Sequence, residues 1–229
     1  KPAVGFGTGN PQAFDTALGW RFPNPRMAEL FPLEAMGETA ENLVDKYAIS
    51  REDQDKFAYE SHQKALSAWE AGYFDREVIS VEVPERKKTV TVSRDEGPRA
   101  DSTLEKLSSL RAVFRKGGSV TAGNSSTLND GAAALILMSA SEANRLGLEP
   151  LAKIVATGTA GVDPRIMGIG PVAATQEALR KAGLEVADLD LIELNEAFAA
   201  QSLAVMGELG LAPEKVNVNG GAIALGHPL

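Results

Sequence analysis

The 229 residues contain no cysteine and only two histidines. The first absence excludes disulfide staples, iron–sulfur clusters, thiolate zinc sites and any cysteine nucleophile carried on this stretch of chain. Two imidazoles without thiols make no ordinary transition-metal site unless carboxylates gather around them, and none cluster in sequence near His227. No metal site is expected. Positive charge is scarce as well: 23 Lys and Arg stand against 31 Asp and Glu, a net charge of −8. Sequence-independent binding to nucleic acid needs the opposite balance, because Lys and Arg displace phosphate counterions. Long apolar runs are missing too. Residues 132–138 are far shorter than the ~20 residues of a membrane helix. No signal-peptide apolar core follows Lys1-Pro2-Ala3-Val4-Gly5. These absences make the cytoplasm the expected compartment and a membrane an unexpected partner. The first residue is not Met, and Gly226-His227-Pro228-Leu229 looks like the lead into another element; both ends read as those of a piece of a longer chain.

With 44% hydrophobic and 24% charged residues, what remains is ordinary globular protein. Residues 1–34 are rich in Pro, Gly and Asn and read as loop, with at most a short helix near 15–19. Ala40, Leu43, Val44 and Tyr47 have helical spacing, predicting a helix over 38–47. Ser50, with Asp53 three residues on, resembles a capping box and opens a second helix that stops at Gly72. Alternation predicts two strands within 77–92, and a short helix follows over 103–110. After Gly118 the grammar changes. Residues 120–123, 132–138, 152–157 and 189–194 read as strands, the second buried on both faces. Residues 141–146, 171–182 and 196–209 read as helices. Alternating strands and helices imply a mostly parallel sheet, so a boundary falls near 115–119.

Three segments carry candidate chemistry. Asn195-Glu196-Ala197-Phe198-Ala199 lies where a buried strand gives way to a helix, the end at which parallel sheets bind ligands. Asn195 can hold a water or a carbonyl oxygen there, aided by the helix N-terminus. Equally, Asn195 can be only the N-cap and Glu196 a first-turn anion. In the second segment, Asn217 to Pro228, His227 can be a general base near neutral pH or a plain turn residue. The third, Val120 to Gly131, clusters hydroxyls and amides, which suit a polar ligand or an ordinary turn. His62, among Glu60, Ser61, Gln63 and Lys64, reads as part of a solvated helix face. Gly168-Ile169-Gly170-Pro171-Val172-Ala173 formally fits a dinucleotide fingerprint. However, Pro171 removes an N–H near the helix start, and Asp163-Pro164-Arg165 is not strand-like.

Together these segments resemble the thiolases. So do Met36-Gly37-Glu38-Thr39-Ala40-Glu41-Asn42 and Arg165-Ile166-Met167-Gly168-Ile169-Gly170-Pro171, with order and spacing agreeing along essentially the whole chain. The pattern is that of bacterial acetyl-CoA acyltransferases, near the acetoacetyl-CoA and β-ketoadipyl-CoA thiolases. The resemblance implies an α/β fold of two similar βαβαβαββ halves with mixed sheets, and a long α+β loop domain inserted in the first. Residues 1–118 would be most of the loop domain, 119–138 the end of the N-terminal half, and 139–229 the C-terminal half, truncated.

The implied reaction is reversible Claisen condensation, or thiolytic cleavage of 3-oxoacyl-CoA to acetyl-CoA and a shortened acyl-CoA, through an acyl-cysteine. By resemblance, His227 deprotonates the cysteine and, with a water held by Asn195, binds the thioester oxygen. Ser126 aligns with a pantetheine contact and Arg99 with a basic residue beside the adenine end of CoA. Phe114, Met36, Ala122, Ala197, Phe198 and Met167 align with apolar contacts around pantetheine and the acyl group. CoA is then a substrate, no further cofactor is expected, and the parent enzyme would be a homodimer or homotetramer. Two departures bear on acyl preference: Ala35 stands where some biosynthetic members have His, and Lys106 replaces a serine. The family's two catalytic cysteines fall outside these residues. A non-catalytic CoA-binding or scaffold chain, and an NAD-dependent oxidoreductase, are the alternatives.

Overall fold

The computed structural model describes residues 20, 23–86 and 88–228. The short helix expected near 15–19 lies outside them. Helix α1 (Pro25–Leu30) is capped by the Asn24 side chain. Helix α2 (Met36–Tyr47) buries Gly37, Thr39, Ala40, Glu41 and Leu43. Helix α3 (Arg51–Glu70) starts as the sequence predicts: the Ser50 hydroxyl accepts from the Asp53 N–H at 3.0 Å. Its buried face is not apolar, however. It consists of Gln54, Asp55, Ala58, Ser61, His62, Ala65 and Ala68.

Strands β1 (Val81–Pro84) and β2 (Thr89–Val92) form the expected antiparallel hairpin, with Val81 opposite Val92. Short helix α4 (Leu104–Ser108) follows. Further on come β3 (Leu128–Asn129), α5 (Ala140–Leu146), a 3-10 turn (Pro164–Ile169) and α6 (Gly170–Ala182). The chain then runs into α7 (Ala199–Leu209), α8 (Ala222–Leu225) and β4 (His227–Pro228), which pairs in parallel with β3. The core gathers Leu43 of α2, Ile169, Val172 of α6, Leu194, Val205 and Met206 of α7, and Val216. Full burial of a side chain such as Val205 is worth ~1.5–3 kcal/mol. No helix among the described residues is long and apolar enough to cross a membrane.

The strands differ from expectation. Residues 132–138 and 152–157 form no ladder, and Leu135 and Ile136 are 86% and 87% exposed. An apolar run of this kind becomes a strand only between neighbours that cover its faces and pair its backbone. Among the described residues no strand lies beside it. The 189–194 segment is reduced to one parallel bridge, Ile192 with Val216, and 120–123 to one antiparallel bridge, Ala112 with Thr121. At the first of these, a side chain extends the pairing. Asn217, at a φ of 46°, turns its amide onto Leu194: Oδ1 accepts from the Leu194 N–H and Nδ2 donates to the Leu194 carbonyl, both at 2.8 Å.

Candidate active site

Asn195 and Glu196 follow Leu194 directly, so the Asn217 amide fixes the backbone from which they leave. The helix expected from residue 196 begins at Ala199, and its N-cap is Phe198. Asn195 is therefore not an N-cap, and Glu196 is not a first-turn anion. The Ala199 N–H donates to the Asn124 carbonyl at 2.9 Å instead. Residues 195–198 thus precede the helix, held at Phe198 by an antiparallel bridge to Ser125. Asn195 is exposed while Glu196 beside it is 2% exposed.

The Asn195 side chain reaches His227. Nδ2 lies 3.3 Å from Nε2, longer than a well-formed hydrogen bond. Both groups therefore keep polar capacity for a third, oxygen-bearing partner. The His227 N–H donates to the Thr127 carbonyl at 3.0 Å, and the β3–β4 pairing fixes the segment. Asn195 also lines a cavity of about 210 Å³ together with Met36, Met167, Ala197, Phe198 and Gln201. Its remaining walls are largely apolar. Phe114 meets Phe198 edge to face at 5.8 Å, an arrangement worth ~0.5–1.5 kcal/mol beyond area. Gly37 makes room for this, since a Cβ there would overlap the Phe114 ring.

Polar links hold the cavity walls. Arg115 bonds Glu38 (2.9 Å), Asn42 (2.6 Å) and Asp45 (2.8 Å), tying the segment that carries Phe114 to α2. Asn42 donates to Glu34 and to the Arg165 carbonyl, so the segments bearing Met36 and Met167 share one anchor. Ser126 donates twice to the Ala197 carbonyl, through its N–H at 3.0 Å and its hydroxyl at 3.2 Å. Ala122 is exposed on the same loop, whose turn is fixed by buried Asn124: its amide accepts from Thr121 N–H and donates to Asp55.

Arg99 is not a lining residue of this cavity. Its backbone N–H donates to His62 Nδ1 at 3.2 Å. His62 is 5% exposed, which corrects its expected place on a solvated face. Helix α3 buries a small polar stripe rather than an apolar one, so hydrophobic spacing points away from it. Burial first, then the nearby Arg99 charge, holds the His62 imidazole below its usual range, with Asp101 opposing. Gly97 packs against the Ala224 carbonyl, placing the Arg99 segment beside the turn that leads to His227.

Sequence reading also missed a buried carboxylate. Glu196 Oε2 accepts from the Ser61 hydroxyl at 2.7 Å and the Ile223 N–H at 3.1 Å; Oε1 accepts from Asn217 Nδ2 at 2.8 Å. Burial, and then the Glu196 charge, pushes the Glu193 carboxyl up.

The chain matches known proteins along this length. Residues 21–141 match the thiolase N-terminal domain and residues 148–229 the thiolase C-terminal domain. A 3-oxoadipyl-CoA/3-oxo-5,6-dehydrosuberyl-CoA thiolase of Escherichia coli K12 is 53% identical over 95% of this chain and 55% of its own length. An acetyl-CoA acetyltransferase of Pseudomonas aeruginosa is 60% identical over 85% of this chain and 50% of its own. The crystal structure of the Bacillus anthracis acetyl-CoA acetyltransferase superposes with a TM-score of 0.82 at 56% identity, covering 86% of this chain and 50% of that one. The human mitochondrial 3-ketoacyl-CoA thiolase gives a TM-score of 0.81 at 52% identity, over 85% of this chain and 49% of that one. The chain spans about half the length of the curated relatives it matches. Its α/β fold is the thiolase fold, and the chain belongs to the thiolase family.

Proposed function

We propose that these residues supply the oxyanion-binding and base-bearing part of a thiolase-type acyltransferase. It interconverts 3-oxoacyl-CoA plus CoA with acetyl-CoA plus a shortened acyl-CoA. The observation that carries the reading is the Asn195–His227 approach at 3.3 Å, beside a largely apolar cavity. In this reading His227 takes the proton of a cysteine thiol, which attacks the thioester carbonyl. The developing oxyanion then receives hydrogen bonds from His227 and from a water held by Asn195. The cavity takes the thioester end of the substrate between Met36, Met167, Ala197 and Phe198, with Phe114 behind Phe198. Ser126 and Ala122 face the pantetheine arm, and Arg99 meets the nucleotide end.

The 229 residues contain no thiol, so catalysis needs a polypeptide that also supplies the cysteine. CoA serves as a substrate, with no additional cofactor. The working enzyme is a cytoplasmic homodimer or homotetramer, divided at about 1–118, 119–138 and 139–229 as the resemblance implies. The test is thiolysis by the full-length polypeptide. Cleavage of acetoacetyl-CoA or a longer 3-oxoacyl-CoA, dependent on free CoA, supports the reading. No turnover of either substrate refutes it.

A further inference from the structure

We infer that Glu196 is a positioning residue that sets the distance between Asn195 and His227, with Ser61 of α3 and Asn217 as its two side-chain braces. The inference rests on the proposed function and deepens it.

Three properties of Glu196 carry this. First, it is peptide-bonded to Asn195, and the two neighbours divide between core and surface: Glu196 is 2% exposed and Asn195 is exposed. Anchoring Glu196 therefore anchors the direction of Asn195. Second, its carboxylate grips the segment that leads to His227. Oε2 accepts from the Ile223 N–H in the first turn of α8, and α8 ends two residues before His227. Ser61 adds an indirect bond to the same segment, since its hydroxyl oxygen accepts from the Gly221 N–H at 3.1 Å while donating to Glu196. Third, the packing around the carboxylate is tight. A Cβ on Gly221 would overlap it, so the loop closes directly onto the acid.

The cost of this arrangement argues for a role beyond packing. All three partners of Glu196 are neutral donors, and none is a cation. A buried carboxylate held only by neutral donors is an expensive way to fill space, and an apolar residue of similar size would fill it more cheaply. What the carboxylate offers that an apolar group does not is direction. Two acceptor oxygens converge three donors from α3, from the 192–217 pairing and from α8 onto one point. Asn217 contributes twice, because the amide that bonds Glu196 also holds the Leu194 backbone. A glutamine has one acceptor oxygen and one NH2 group. In its place the NH2 would face a donor, so at least one of the three bonds is lost and the loop must shift.

The experiment uses the full-length enzyme and starts from wild-type thiolysis. Glu196→Gln is expected to lower kcat on the order of 10²-fold, with KM for CoA within about 3-fold, because misplacing catalytic groups by about 1 Å has that effect. Ser61→Ala is expected to lower kcat by a smaller factor in the same direction. The decisive comparison is in an Asn195→Ala background, where Glu196→Gln is expected to change kcat by less than about 3-fold. An effect of undiminished size there would show that Glu196 does not act through the Asn195–His227 distance and would overturn the inference. Unchanged kcat in Glu196→Gln on an active wild type would overturn it too, leaving the proposed function intact. If Glu196→Gln yields no folded protein, Ser61→Ala decides: wild-type kcat overturns the inference, and a kcat loss abolished by Asn195→Ala supports it. An inactive wild type removes the proposed function and this inference together.

Discussion

Asn195 Nδ2 and His227 Nε2 stand 3.3 Å apart although 32 residues separate them in the chain. The geometry suits two groups that share one ligand oxygen. Asn195→Ala and His227→Ala should each lower kcat for thiolysis in the full-length enzyme by roughly 10²–10³-fold. The double variant should lose little more than the worse single one, because residues acting as a unit are not additive. Multiplied losses in steady-state kinetics would show two independent roles.

The Phe114–Phe198 contact depends on the missing side chain at Gly37. Gly37→Ala should destabilise the protein by about 1–3 kcal/mol through overpacking. Phe114→Leu in the same background should recover part of that loss. Urea unfolding of the two variants checks this, and equal midpoints for wild type and Gly37→Ala would count against it.

The His62–Arg99 bond requires Nδ1 to carry no proton. The folded imidazole titrates below the ordinary 6.5, so the unfolded state binds more protons between the two values. The stabilisation from this bond is then complete above about pH 6.5 and is lost as pH falls through the lowered folded value. The hydrogen-exchange protection factor of the Arg99 amide, relative to its intrinsic rate at each pH, should fall on acidification below 6.5 more than those of neighbouring amides. His62→Asn, whose Oδ1 accepts at any pH, should flatten that response. A response as steep in the variant as in wild type would disprove the link.

Some of this architecture is readable from short-range chemistry. The Ser50–Asp53 cap and the 77–92 hairpin are local, and the structure has both. The Asn195 and His227 segments stand out because Gly, Asn and His crowd together after apolar runs. His62 and Glu196 do not stand out, since their partners lie 37 and 135 residues away in sequence. Only the fold puts an acceptor opposite Arg99 or a hydroxyl opposite Glu196. Residues 132–138 fail in the opposite direction: their composition states a preference for a buried strand, but pairing is a property of neighbours.

That unpaired run makes a further prediction. Leu135, Ile136, Leu151 and Ile154 are all well exposed. The 229 residues expressed by themselves should bind a hydrophobic dye and self-associate at micromolar concentration. A sharp two-state melt of a soluble monomer would contradict this.

Helix α3 gives adjacent positions to different tasks. Ser61 braces the segment around Glu196, and His62, the next residue, braces the segment of Arg99. One register of one helix thus holds both the Glu196 segment and the Arg99 segment. Inserting a single residue between Ser50 and Ser61 would rotate both by about 100° and advance them about 1.5 Å. Both braces would fail together. The length from the Ser50 cap to Ser61 therefore works as a measuring interval, and it should tolerate substitution far better than insertion or deletion.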